Sequence, residues 1–230
     1  MWLQDSWRFL QKNVLALIGV SVVSIAIIIS LAAPAIAPYS PLQQDMANRL
    51  SPPSREHPMG TDPLGRDVLS RVIYGGRISL PAAIIIVIVS LSIGIVLGLV
   101  AGFVGGLWDG VLMRFTDLVT AFPPMILAMI IAAALGSGIG QSAVAIIIVW
   151  WPMYARLVRG LVLSVRNDEY VLAARALGVP TGRLLFRHIL PTCLGPAVVL
   201  ATLDLGSAML VFASLSFLGV GTKPPTPSWG

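Results

Sequence analysis

Apolar and polar positions along this chain do not alternate; they segregate into long blocks. No charged residue occurs from Val14 to Pro38, from Ile78 to Trp108, or from Leu118 to Ala155. Such runs predict bilayer-spanning helices, because about 20 residues rising 1.5 Å each cross a hydrocarbon core ~30 Å thick. The pattern gives five spans, at about 14–35, 79–103, 111–135, 142–163 and 191–214. The longest uncharged run needs two of them, and Gly136-Ser137-Gly138-Ile139-Gly140-Gln141 sits where the hairpin between them belongs. Gly94, Gly98 and Gly102 recur at every fourth position of the second span, a stripe without side chains along which another helix can approach closely. Pro123-Pro124 opens a bend inside the third. Ala35-Ile36-Ala37 imitates a signal-peptide cleavage site. The apolar stretch before it exceeds the about 7–15 residues of a signal core, so the first span reads as a retained helix.

Composition removes the soluble alternatives. Of 230 residues, 57% are hydrophobic and 11% charged, against roughly 25% charged in a soluble domain. Mean hydropathy is +0.89. An all-α, polytopic transmembrane helical bundle follows. The single cysteine, Cys193, excludes an intrachain disulfide, and with two histidines it leaves no credible zinc cluster. The net charge of +5 suggests nucleic acid, but the basic residues flank apolar runs and no base-stacking platform accompanies them. No nucleic-acid partner is expected.

The same basic residues orient the chain. With the N-terminus cytoplasmic, the inner segments hold Arg8, Lys12, Arg114, Arg156, Arg159, Arg166, Arg175, Arg183 and Arg187. The outer loop 136–141 holds none. Segment 39–77 breaks the bias with five arginines, balanced in part by three aspartates and one glutamate. Three regions result: a cytoplasmic stub with the first helix (1–38), an extracytoplasmic segment (39–77), and a core of spans 2–5 (78–230) with a cytoplasmic loop at 164–190. In the extracytoplasmic segment, Thr61 or Asp62 reads as a turn former, and Arg66 and Asp67 suggest a salt-bridged, folded segment instead of a floppy loop. It either contacts another protein or covers the outer end of the bundle.

Catalytic signatures are missing. The two lysines, Lys12 and Lys223, do not follow glycine, so no phosphate-cradling Gly-x-x-x-x-Gly-Lys-Ser/Thr loop exists. Neither a His-Glu-x-x-His helix nor a Gly-x-Ser-x-Gly elbow is present. No catalytic, cofactor-binding or metal-binding residue is assigned. Asp204, well inside span 5, is a costly ionisable group with two readings: it lines a pathway, or it hydrogen-bonds a neighbouring span.

The most informative stretch runs from Asn167 to Pro191. Asn167 or Asp168 can cap a helix, Ala173, Ala174, Ala176 and Leu177 favour it, and Gly178 can end it in the left-handed conformation. Pro180 can start a second helix. This is a helix–glycine–helix elbow between two spans. It is read either as a docking element, with Ala173 and Ala174 admitting a partner's groove, or as an interfacial helix whose arginines meet lipid phosphates.

Ala173-Ala174-x-x-x-Gly178 with Leu190-Pro191 resembles the EAA loop of the inner-membrane permease subunits of bacterial ABC importers. Leu172 and His188 depart from the general pattern, but Ala-Ala-Arg-Ala-Leu-Gly and His-Ile-Leu-Pro are similar to the dipeptide/oligopeptide/nickel branch. Three further stretches share that resemblance: 57–67, 74–80, and 216–221 with Pro224-Pro225-Thr226-Pro227. The chain looks like the C component of such an importer. The resemblance implies a type I permease fold in the bacterial inner membrane. It also implies a second, homologous permease subunit, two ATPase subunits that bind ATP and magnesium, and an extracytoplasmic binding protein. Tyr170, Ala173, Ala174, Arg175, Gly178, Val179 and Arg183 would then couple to an ATPase. The expected cargo is a di- or oligopeptide, with nickel or glutathione as the alternative within the branch and an ATPase-independent scaffold or channel outside it. Family members have a sixth span after the Pro-Pro-Thr-Pro segment, so a further span beyond residue 230 is expected.

Overall fold

In a computed structural model the described residues are 14–230, and they are helical apart from turns and one isolated bridge between Thr61 and Asp67. The amino-terminal stub with Arg8 and Lys12 lies outside them. In chain order the helices are α1 (Val14–Leu31), α2 (Ala33–Ile36), α3 (Val68–Val104), α4 (Gly106–Thr120), α5 (Pro124–Leu135), α6 (Ile139–Val165), α7 (Glu169–Ala176), α8 (Thr181–Leu184) and α9 (Leu190–Phe217). A π-turn, Leu185–Ile189, joins α8 to α9.

Three stretches among the described residues are long and apolar enough to cross a membrane: Val68–Val104, Ile139–Val165 and Thr181–Phe217. They contain the expected spans 2, 4 and 5. Span 1 is shorter than expected, because its apolar helix stops at Leu31 and Pro34 sits in the separate turn α2. Span 3 is not one helix. It divides into α4 and α5, whose axes meet at 87°. The break falls at Pro123, whose missing N–H and fixed φ prevent α4 from continuing, while Pro124 fits the first turn of α5 at no hydrogen-bonding cost.

The chain forms two compact units, divided within α3 between Leu80 and Pro81. The first contains the described residues up to Leu80 together with Pro224–Trp229. Here the tail is tied to the start of α3: the Trp229 indole donates to the Val72 carbonyl at 2.8 Å, and Arg71 donates to the carbonyl of Pro225.

The second unit, Pro81–Lys223 with Gly230, holds two apolar clusters. One joins α3 (Ala83, Ile86), α5 (Ala128), α6 (Ile146, Tyr154) and α9 (Phe212, Leu215). The other joins the far half of α3 (Leu99) with α6 (Val158, Val162), α7, α8 and the start of α9. The glycine stripe makes this contact possible. A β-carbon on Gly98 would lie 2.6 Å from the Ala155 carbonyl oxygen, and one on Gly102 would lie 2.7 Å from the Val162 β-carbon. Only a helix lacking side chains on that face can bring its backbone so near α6.

Candidate functional site

The Asn167–Pro191 elbow takes the form its residues predict, with differences of detail. Helix α7 begins after Asp168, whose main-chain carbonyl accepts from the amides of Val171 and Leu172, both at 3.0 Å. The Asp168 side chain makes no capping bond. Glu169 in the first turn and Arg175 in the last suit the helix dipole. At the other end Gly178 has φ +76°. Its amide donates to the Arg175 carbonyl at 3.0 Å, and the Val179 amide reaches back to the Ala174 carbonyl at 3.1 Å. These two bonds are the Schellman pattern, whose usual apolar contact across the turn is supplied by Val179 and Ala174 in the lower cluster. Helix α8 starts at Thr181, one residue later than the position expected for Pro180.

The expected coupling residues therefore divide. Tyr170, Ala173, Arg175 and Arg183 are exposed, while Ala174 is buried and Val179 is half-buried. Ala174 is buried within its own chain, on the inward stripe of α7 that it shares with Val171. The Arg175 guanidinium lies 5.6 Å from the centre of the Phe103 ring, a cation–π contact tying α7 to the end of α3. Arg166 adds a second tie through a 3.0 Å hydrogen bond to the Gly102 carbonyl.

Leu177, read from the sequence only as a helix former, and Phe186, not singled out there, are the most open large apolar side chains of the elbow: Leu177 is 85% exposed and Phe186 69%. Leu177 continues the outward stripe of Tyr170 and Ala173, seven and four positions before it, and past the left-handed turn at Gly178 it is Val179 that packs inward. Apolar side chains this open among arginines mark a surface awaiting cover.

Asp204 accepts a 2.7 Å hydrogen bond from the Tyr154 hydroxyl of α6, the neighbouring-span partner that one of its two readings required. Two ion pairs were not foreseen. Arg159 grips Asp109 with two bonds, 2.5 and 2.7 Å, and Arg156 reaches Asp117 and the Thr120 hydroxyl, each at 2.7 Å. Both clip α4 to α6. Among the described residues no group of three or more His, Cys, Asp or Glu is placed to hold a metal ion.

The segment before α3 is folded, and both Arg66 and Asp67 are engaged in it. Arg66 bonds Asp62 at 2.6 Å. Asp62 also accepts from the amides of Leu64 and Arg66, which makes it the centre of the turn. Asp67, 2% exposed, accepts from the Ser70 hydroxyl and amide at 2.7 Å each and lies 2.9 Å from the His57 ring. Burial pushes the Asp67 carboxyl up, but these bonds outweigh it and hold the group below its ordinary value. Asp62 is likewise lowered, its burial overcome by the bonds from Arg66 and Leu64.

Comparison with known proteins agrees with this architecture. Residues 94–230 match the family described as "Binding-protein-dependent transport system inner membrane component". Residues 1–53 match the "N-terminal TM domain of oligopeptide transport permease C". The dipeptide transport system permease protein of Alkalihalophilus pseudofirmus is 41% identical over 227 residues, 99% of this chain and 75% of that one. Its counterpart from Escherichia coli strain K12 is 43% identical over 234 residues, 99% of this chain and 78% of that one. A glutathione transport system permease protein from another Escherichia coli strain is 40% identical over 227 residues, 98% of this chain and 75% of that one. With its spanning helices and type I permease fold, the chain belongs to the family of inner-membrane components of binding-protein-dependent transport systems, as a multi-pass membrane protein.

Proposed function

We propose that this chain forms half of the translocation pathway of a bacterial ATP-driven importer for di- or oligopeptides. A second permease subunit would complete the pathway, and an extracytoplasmic binding protein would deliver the cargo. Two ATPase subunits holding ATP and magnesium would drive it. The elbow carries the proposal. Its outer face offers Leu177, Phe186 and Tyr170 among arginines, and its inner face is keyed to the ends of α3, α6 and α9. A push on Leu177 is thereby delivered to three spans at once, which is how a chain without a nucleotide-binding loop can use hydrolysis elsewhere. Asp204 is assigned a structural bond to Tyr154 in preference to cargo contact.

Peptide cargo is supported by the dipeptide permease relatives. In cells lacking the chain, uptake of a radiolabelled dipeptide is expected to fall to background and to return with the gene, and unlabelled dipeptides are expected to compete where glutathione does not. Competition by glutathione alone would move the assignment to the second reading, which the 40% identical glutathione permease favours.

The proposed topology places the N-terminus and residues 164–190 in the cytoplasm, with 39–77 outside. In a Cys193→Ala background, an impermeant maleimide applied to whole cells should label Gln43→Cys and not Thr181→Cys. In inverted membranes Thr181→Cys should react once the ATPase subunits are stripped and resist when they are bound. Labelling of Thr181→Cys from outside reverses the arrangement.

A further inference from the structure

The geometry points to α4 as an in-plane helix that binds an anionic phospholipid of the surrounding membrane. Helix α5 packs along the spanning helix α6 through Ala128, Ile146 and Val149. A helix set at 87° to α5 therefore lies near the plane of the membrane. Its N-terminal end is on the elbow's side of the bundle, because the Arg166 guanidinium sits 3.7 Å from where a β-carbon on Gly105 would be.

The two faces of α4 differ in chemistry. Asp109 and Asp117 turn toward α6 and are taken up by Arg159 and Arg156, with Thr116 buried beside them. On the other side Leu107, Val111 and Leu118 are exposed around an open, shallow groove of about 440 Å³ beside Gly110, and Phe115 closes its edge, half exposed while stacking on Trp151 of α6 with ring centres 5.8 Å apart. Arg114 stands in the same stripe, exposed and without an ion pair or hydrogen bond among the described residues. Both acids of the helix being engaged, the face it shows outward is apolar with one free positive charge.

That pairing selects the ligand. An acyl chain fits the apolar groove over Gly110, and an anionic headgroup, whose phosphate has no choline cation beside it to compete, supplies the anion that Arg114 lacks. Exposed Trp108 at the same end suits the headgroup level, where its ring is half solvated. A protein partner would have to bury an unpaired arginine at the centre of an apolar contact, or bring its own carboxylate to the same spot. Nothing here depends on the cargo or on the ATPase assignment, so a failed uptake or docking experiment leaves it standing.

The test uses the intact importer complex purified from its native membrane. Native mass spectrometry in the presence of phosphatidylglycerol or phosphatidylcholine is expected to show preferential retention of phosphatidylglycerol. Arg114→Gln should lower that retention about fivefold, the factor one basic side chain contributes at an anionic surface. Arg114→Lys should keep it. A photoreactive benzoylphenylalanine in place of Val111 should form adducts of phospholipid mass. Equal retention of the two lipids, unchanged retention in Arg114→Gln, or an adduct with a protein chain at position 111 would each overturn the inference.

Discussion

Gly178→Val is expected to abolish transport while leaving the membrane bundle assembled. No atom lies within 4 Å of where its β-carbon would go, so the substitution meets no steric obstacle; the strain is entirely in the backbone. At φ +76° a β-branched residue is disfavoured by roughly 1–2 kcal/mol, enough to redistribute a short surface turn toward right-handed conformations. The Schellman bonds from Gly178 and Val179 would then be lost, and with them the placing of α8 and Phe186 relative to α7. ATPase subunits should no longer copurify with the permease, and dipeptide-stimulated hydrolysis should disappear. Gly178→Asn, which tolerates the left-handed region, should retain much of both activities. Wild-type behaviour of the valine variant would dissociate the elbow from coupling.

The second large effect is expected at Gly98. Valine there places atoms against the Ala155 carbonyl and the Val158 β-carbon, forcing α3 and α6 apart. Overpacking of this kind costs about 1–3 kcal/mol, and here it opens the cluster that seats the elbow. The purified complex should melt several degrees lower, and transport should fall further than the loss of protein explains. Gly160→Ala is the control. It lies on α6 with nothing within 4 Å of its β-carbon site, so it should be neutral or gain up to about 1 kcal/mol from better helix propensity. If Gly98→Val and Gly160→Ala melt together, the glycine stripe is not a packing surface.

Most of the bundle is legible in the sequence because uncharged runs and glycine spacing are one-dimensional signals. Gly94, Gly98 and Gly102 announce a close helix contact without naming its partner, and Pro123-Pro124 announces a bend without its angle. The elbow's Gly178 is legible for the same reason, since capping is local chemistry. What escapes is whatever depends on rotation about a helix or on pairing across the fold. Ala173 and Ala174 look equivalent in sequence, yet a step of about 100° between neighbours sends one outward and the other into the core. Arg156 and Arg159 read as topology signals, and nothing in their surroundings names Asp117 and Asp109, some forty to fifty positions earlier. Arg66 and Asp67 announce a folded, ion-paired segment without naming their partners, which are Asp62 and the His57 ring.

The clip between α4 and α6 has a kinematic consequence. Its two anchor points are eight positions apart on α4, about 12 Å along that helix, and three apart on α6, about 4.5 Å. Two pairs at separate points resist both piston-like sliding and rolling of one helix on the other. A swing of α4 about the Pro123-Pro124 break would have to pull Asp109, the point farther from that pivot, off Arg159, so while both pairs hold α4 travels with α6 as one rigid bracket.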